Sequence, residues 1–390
     1  MKKILLAGAA AAATALVCGC GQRVTDSLPE QDGSRTDYSL AFFRNVVAGS
    51  AADDNVFVSP YSAGVALSML AEGAEGETRE EIVKALGGST FAADVLEADS
   101  LVDVRSANSA WVRSGFEVKK DYVSLLSKSY GAMIQTRNFS DPATVGAINR
   151  WCSDNTEGRI PEIIETISPD MVMFLINALY FKAPWETAFD ESRTEDRAFH
   201  GSAGETLVPM MWAKEKYRYA EYQGCQLVEL PYSGGRYSML VALPASGMSM
   251  DDAVSYLSGA AYDAALGMLE SREVILTMPK FKFETDMVLN HVFNVMGVER
   301  AFSNAAQFGG ISDASVAVDE IRQKCFVEVN EQGSEAAAVT SISVRVTSAF
   351  PGKPAAVVMT VDRPFLFAIV DGAHDNILFM GRIMNINDND

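Results

Sequence analysis

Residues 326–340 read FVEVNEQGSEAAAVT, and their reading decides the fold. From Lys324 to Asn330 the chain alternates: Cys325, Val327 and Val329 face one way, Phe326 and Glu328 the other. A period of two with β-branched residues predicts a strand. Beyond it the alternation changes character. Ser334, Ala336, Ala338 and Thr340 interleave with Glu335, Ala337, Val339 and Ser341, so one set is small and the other carries the charge. The wider segment, residues 331–361 (EQGSEAAAVTSISVRVTSAFPGKPAAVVMTV), lies between strand patterns and is long for a loop. Loops of that length inside a folded domain are commonly functional. Its composition also suits a strand with one compact face and one that meets solvent. Two readings stay open here: an alanine-rich surface loop, or a loop that doubles as a strand.

Working outward, the flanks mix helices and strands. Leu40, Phe43 and Val47 fall on one helical face behind a Thr36 cap. Ser59-Pro60 starts a helix whose Val65, Leu67, Met69 and Leu70 make it apolar on most sides, hence buried. Gly76-Glu77-Thr78 precedes a second helix ending at Leu86-Gly87-Gly88. A strand fits 106–112, and helices fit 120–130, 143–156 and 287–296. Met173 to Phe181 is an apolar run interrupted at Asn177 and reads as a central strand. Strands also fit 237–243 and 273–278, and a hairpin joins 365–370 to 377–384 through Asp371–Asn376. Without a regular βαβ rhythm the fold class is α+β.

The N-terminus has a different logic. Lys2 and Lys3 precede an apolar run from Ile4 to Val17, too short to span a bilayer and suited to a signal peptide. Val17-Cys18-Gly19-Cys20 resembles a bacterial lipobox, with Cys20 as the lipidated residue. The expected division is a lipoprotein signal peptide at 1–19, a flexible tether at 20–36 and a folded domain at 37–387. An exported lipoprotein on the outer membrane or cell surface is the expected location, on its periplasmic or extracellular face.

Composition narrows the partners. The chain has 390 residues, 51 acidic and 32 basic, for a net charge of −19. Loss of two lysines and no acids with the signal peptide leaves −21. So acidic a chain is a poor binder of nucleic acid or sulfated glycans. Three histidines and five cysteines give neither a His-rich metal site nor a disulfide scaffold, and Cys152, Cys225 and Cys325 read as free thiols. G-x-S-x-G, H-E-x-x-H, the P-loop pattern and C-x-x-C are all absent. No cofactor and no metal are expected, and no catalytic residue is assigned.

Several separate motifs carry a resemblance to the serpin family across nearly all of 37–387. NVFVSPYSAGVALSMLAEGAEGETREEI at 55–82 looks like its second and third helices, and INALYFKAPWETAFD at 176–190 like the strand with its tryptophan turn. FVEVNEQGSEAAAVT looks like the strand entering the proximal hinge, and MTVDRPFLFAI at 359–369 like the C-terminal signature. The resemblance implies three β-sheets, eight or nine helices and an exposed reactive-centre loop at 331–361. It implies a monomeric suicide-substrate inhibitor of serine proteases, elastase-like or trypsin-like, with cysteine proteases as a further class. In such inhibitors the cleaved loop inserts as a strand and the protease is left deformed as an acyl-enzyme. The rival is a non-inhibitory surface binding protein on the same fold.

Carried onto this chain, the hinge comprises Glu331, Gly333, Ser334, Glu335, Ala336, Ala337 and Ala338, where small residues must slip between existing strands. Counting on places the scissile bond at Thr347-Ser348, with Arg345 and Val346 as alternatives. Ser348 to Pro364 is longer than the family usually has, and counting back from Pro364 points toward Pro351 instead. Val346 or Thr347 suits elastase-like enzymes and Arg345 trypsin-like ones. Ser59, Ser62 and Asn177 match the shutter under the sheet, with Gln323 where relatives often have histidine. Trp185, Lys280 and Glu331 match the breach at its top. The chain is short between Leu86 and Ala107, so the helix that carries heparin sites in some members is reduced or missing, and no heparin activation is expected.

Overall fold

A computed structural model describes residues 34–91, 96, 101–168, 171–334 and 355–387. In chain order the first elements are α1 (Arg35–Ala48), β1 (Val56–Val58), α2 (Pro60–Ala71), α3 (Gly76–Ala85), β2 (Asp103–Arg113), α4 (Lys120–Tyr130), β3 (Met133–Arg137), α5 (Pro142–Asn155) and β4 (Met173–Pro184). There follow β5 (Glu195–Gly201), β6 (Gly204–Tyr222), β7 (Cys225–Pro231), β8 (Tyr237–Pro244), α6 (Met250–Ser255), α7 (Gly259–Gly267), β9 (Glu270–Pro279), β10 (Phe281–Val288) and α8 (Asn290–Val295). The chain closes with β11 (Arg322–Asn330), β12 (Gly333–Ser334), β13 (Val357–Thr360), β14 (Phe365–Asp371) and β15 (Ile377–Ile383).

One sheet has six strands in the order β10-β11-β12-β4-β2-β3. Along β4 it is covered on both faces. Phe174, Ile176 and Ala178 of β4 pack with Trp111, Ile148 and Cys152 beneath α5, whereas Leu179, Phe181 and Ala183 enter the main core. Burial on both faces explains why β4 reads as a continuous apolar run. In β11 the set Cys325, Val327 and Val329 is the buried one, as its alternation required.

The other sheet has nine strands, and the 19-residue β6 runs through two blades of it. Its start pairs with β5 and its middle with β9, which in turn pairs with β13. Its end pairs with β7, followed by β8, β14, β15 and β1. Among the described residues the three sheets expected from the resemblance are therefore joined into two hydrogen-bonded ones, because one strand belongs to both blades. Eight α-helices lie among the described residues.

α2 is buried at every position from Pro60 to Ala71, with Ser59 Oγ accepting from the Ser62 amide at 3.0 Å. That cap satisfies one of the amide groups a helix start leaves open. Three sequence expectations need correction. The cap of α1 is Ser34, which accepts from the Asp37 amide, and Thr36 lies inside the helix. α8 covers Asn290–Val295, since Met287 and Val288 still belong to β10 and pair with Gln323 and Arg322. Gly76 does not separate α2 from α3 but begins α3, at φ +49. Among the described residues between Leu86 and Asp103 there is no helix.

Candidate functional site

β11 ends at Asn330, and the chain turns through Glu331 and Gln332 back into the same sheet. Gly333 and Ser334 then pair with Asn330 and Val329 of β11 on one side and with Pro184 and Ala183 of β4 on the other. Among the described residues, β12 is the strand through which β11 and β4 are joined. Ser334 is 2% exposed and faces the core. This corrects two expectations. The segment 331–361 is not loop at its ends, since 331–334 are built into the six-stranded sheet and Val357–Thr360 form β13. Ser334 faces the core without waiting for the loop to insert.

Gly333 is required by this geometry. Its φ is +151, and a Cβ there would meet the Ala183 carbonyl oxygen at 2.1 Å. Only glycine adopts such a backbone that close to another strand at little cost.

Three groups of contacts hold the turn. The Trp185 indole N–H donates to the Asn330 carbonyl at 3.0 Å, and the Trp185 amide to Gln332 at 2.9 Å. The Glu331 carboxylate accepts from Lys280 Nζ at 2.9 Å and from Thr194 Oγ1 at 2.8 Å. Burial raises the Glu331 pKa, but the bonds from Lys280 and Thr194 outweigh it and hold the carboxyl below its ordinary range. Finally, Tyr232 Oη and Ser334 Oγ share a buried hydrogen bond of 2.6 Å. The Tyr232 ring stacks on Trp185 with centroids 4.5 Å apart and planes 9° from parallel. Trp185, Lys280, Glu331 and Ser334 thus meet at one end of the sheet.

Tyr232 was not legible as a site residue. It follows β7, a strand whose weak alternation gave no sequence signal, and the bridge that brings it here, Trp185 to Tyr232, is long-range.

Further along the β4–β11 seam lies a second polar cluster. Gln323 makes a reciprocal pair with the Ser59 backbone, its Oε1 accepting at 3.0 Å and its Nε2 donating at 2.8 Å. Ser59 Oγ donates to the Leu378 carbonyl at 2.6 Å. Ser62 Oγ reaches the Asn177 carbonyl at 3.4 Å, and Asn177 Nδ2 donates to Asn108 Oδ1 and Ser106 Oγ. Ser59, Ser62, Asn177 and Gln323 are all buried. They tie α2, β4, β11 and β15 together, so parting β4 from β11 disturbs this network too.

Cys152, Cys225 and Cys325 carry free thiols. Burial pushes all three up, Cys152 to about 12, which favours the protonated thiol in each. Glu335, Ala336, Ala337, Ala338, Arg345, Val346, Thr347, Ser348 and Cys20 lie outside the described residues.

A strand gap filled by the first residues of a small-residue segment, closed at one end by a buried tyrosine bond and lower down by a serine–glutamine–asparagine cluster, is a specific arrangement. The family profile described as Serpin (serine protease inhibitor) matches residues 34–386. Iripin-3 of Ixodes ricinus is 35% identical over 361 residues, which cover 86% of this chain and 90% of that one. Antitrypsin of Bombyx mori is 32% identical, covering 90% of this chain and 92% of its own. Among solved structures, the thermophilic serpin tengpin in its native state superposes with a TM-score of 0.83 at 28% identity, covering 93% of this chain and 96% of its own. Motifs, strand order and relatives agree, and the chain belongs to the serpin family.

Proposed function

We infer that this serpin is an inhibitor that traps serine proteases as a covalent acyl-enzyme and is consumed in doing so. The observation that carries the reading is β12: Gly333 and Ser334, at the start of the hinge, already form a rung between β11 and β4, with Ser334 seated in the core. The sequence continues Glu335-Ala336-Ala337-Ala338, and a strand extended beyond Ser334 would need small residues at every second position, which Ala336 and Ala338 supply. Insertion then continues an existing ladder and does not need to nucleate a new one.

The chemistry belongs to the protease. Its serine Oγ attacks the carbonyl of Thr347 in our assignment. The bond to Ser348 breaks, the new amine leaves with a proton from the protease histidine, and an ester joins the two proteins. This chain's residues act on what comes next. The freed hinge extends β12 between β4 and β11 and carries the ester across the molecule. Deacylation needs an aligned base and oxyanion hole, and strain on the acyl group removes that alignment. Breach contacts at Trp185, Lys280 and Glu331 and the shutter at Ser59, Ser62, Asn177 and Gln323 set how readily the strands part. Val346-Thr347-Ser348 favours an elastase-like target, and Cys20 would tether the molecule to a membrane.

Incubation with a panel of elastase-like and trypsin-like proteases tests this. A complex that survives boiling in detergent is expected, and the mass of the released fragment fixes the cleaved bond. Cleavage by every protease with no covalent complex would overturn the reading.

A further inference from the structure

The turn after α5 reaches across the seam between β4 and β11. Its own fold is local and tight. Gly158 and Arg159 donate their amides to the Ser153 and Thr156 carbonyls at 2.8 and 2.9 Å, and Gly158 takes φ +78. Thr156 Oγ1 accepts from the Ile160 amide at 3.1 Å, and Asn149 Oδ1 accepts from the Ile163 and Ile164 amides. Those three isoleucines share one buried cluster with Trp111 of β2 and Phe174 of β4. Glu157 pairs with Arg105 of β2 at 2.6 Å. The turn is thus fastened to the β2–β4 side of the sheet.

The Arg159 side chain leaves that side. Its guanidinium lies 5.1 Å from the centroid of the Phe326 ring, and its Nη1 lies 3.8 Å from Glu328 Oε2. Phe326 and Glu328 stand on β11, half-buried on the face opposite Cys325, Val327 and Val329. A second cation, Lys282 Nζ, is 5.8 Å from the same ring, but Lys282 belongs to β10, which pairs with β11 along its whole length. A strand added between β4 and β11 widens the sheet by about 4.8 Å. Arg159 cannot keep both contacts through that step while its turn stays on α5, whereas Lys282 travels with the ring. We propose that Arg159 is a strap across the seam, which releases as a strand enters and so sets the rate of insertion against deacylation. Neither contact is strong. An exposed cation–π contact or ion pair gives a factor of about 2–5, enough to resist opening and still yield.

The strap rests on the inhibitor reading, and variants of the full chain separate the two. Arg159→Ala, Glu328→Gln, their double variant and Lys282→Ala are compared with wild type by guanidinium midpoint, intact and loop-cleaved. They are also compared by the ratio of covalent complex to cleaved, released inhibitor, with a protease that gives both products with wild type. Arg159→Ala should lower the midpoint of the intact form, leave that of the cleaved form unchanged and raise the ratio by about 2- to 10-fold. Glu328→Gln should act in the same direction, and the two effects should be less than additive in the intact form and uncoupled in the cleaved one. Lys282→Ala should change both midpoints alike and leave the ratio as it is. Equal falls in both forms for Arg159→Ala, or an unaltered ratio, would refute the strap while wild type still traps protease. If wild type forms no covalent complex and gains no stability on cleavage, the inhibitor reading fails and takes the strap with it.

Discussion

Replacing Ser334 by arginine should convert the inhibitor into a substrate. Ser334 is 2% exposed, and its hydroxyl meets one polar partner, Tyr232 Oη. A guanidinium in that place would carry five N–H donors into a site that offers a single acceptor. An uncompensated buried charge costs about 3–5 kcal/mol. The intact protein has a way out: it can withdraw Gly333 and Ser334 from the sheet, losing a few ladder bonds at about 1 kcal/mol each. Its own stability should therefore fall by less than the full charge cost. The inserted form has no such exit, because any longer strand between β4 and β11 must pass through position 334. Insertion should become less favourable by about 10²–10⁴-fold, at 1.36 kcal/mol for each factor of ten. The bond at Thr347-Ser348 lies well along the chain, so cleavage should proceed at its normal rate. Gel analysis should then show cleaved inhibitor with little covalent complex, and thermal unfolding should show little gain in stability on cleavage. Ser334→Ala is the control: it leaves the Tyr232 hydroxyl buried without its partner, about 1–3 kcal/mol, and should still trap. If Ser334→Arg traps protease at the wild-type stoichiometry, β12 is not the leading edge of the inserting strand and the reasoning fails.

Gly333→Ala should destabilise the intact protein by about 1–3 kcal/mol, read from its denaturation midpoint, because the added carbon would overlap the Ala183 carbonyl at an unfavourable φ. The lowered pKa of Glu331 makes its contribution pH-dependent: it is fully present above the unfolded value of about 4.3 and is lost as pH falls from there through the lower folded value. The difference in melting temperature between wild type and Glu331→Gln should accordingly be flat near neutrality and shrink in acid; a gap that widens in acid contradicts the breach assignment. Thr347→Arg should shift the preferred target toward trypsin-like proteases, whereas loss of inhibition on Arg345→Ala alone would move the scissile bond to that residue. Fatty-acid labelling of cells should mark the wild-type chain and spare Cys20→Ala, with equal labelling of both speaking against lipidation.

Elements with strong local periodicity were legible in the sequence. α4 falls at 120–130 as expected, because Tyr122, Leu126 and Tyr130 repeat at helical spacing and Gly131 ends the helix at φ +58. β4 and β11 were readable from an apolar run and from strict alternation. β5, β6, β7 and β10 were not. β6 in particular buries the even-numbered Val208 and Met210 near its start and the odd-numbered Met211, Ala213, Tyr217 and Tyr219 further on, so no single period survives along its length. The site divided in the same way. Trp185 and Glu331 could be located because they belong to quoted motifs, and Lys280 and Gln323 by their positions in the family resemblance, yet the Tyr232 bond depends on which strands lie side by side. Of the small set Ser334, Ala336 and Ala338, Ser334 lies among the described residues and is buried; that it already occupies the sheet follows from Gly333, whose backbone turn is invisible in a pattern of side chains.

The two ends of the segment between Ser334 and Val357 are fastened to different sheets, β12 to the six-stranded one and β13, in parallel, to β9 of the other. Everything after a cut in that segment includes β14 and β15, which sit inside the nine-stranded sheet between β8 and β1. Phe365, Phe367, Ile377 and Leu378 on these strands are buried in the core. A severed C-terminal piece is therefore not a flap but an internal structural part, held by ladders and packing on both sides. Cleavage should yield two polypeptides that migrate as one body under native conditions and separate only when the protein is denatured.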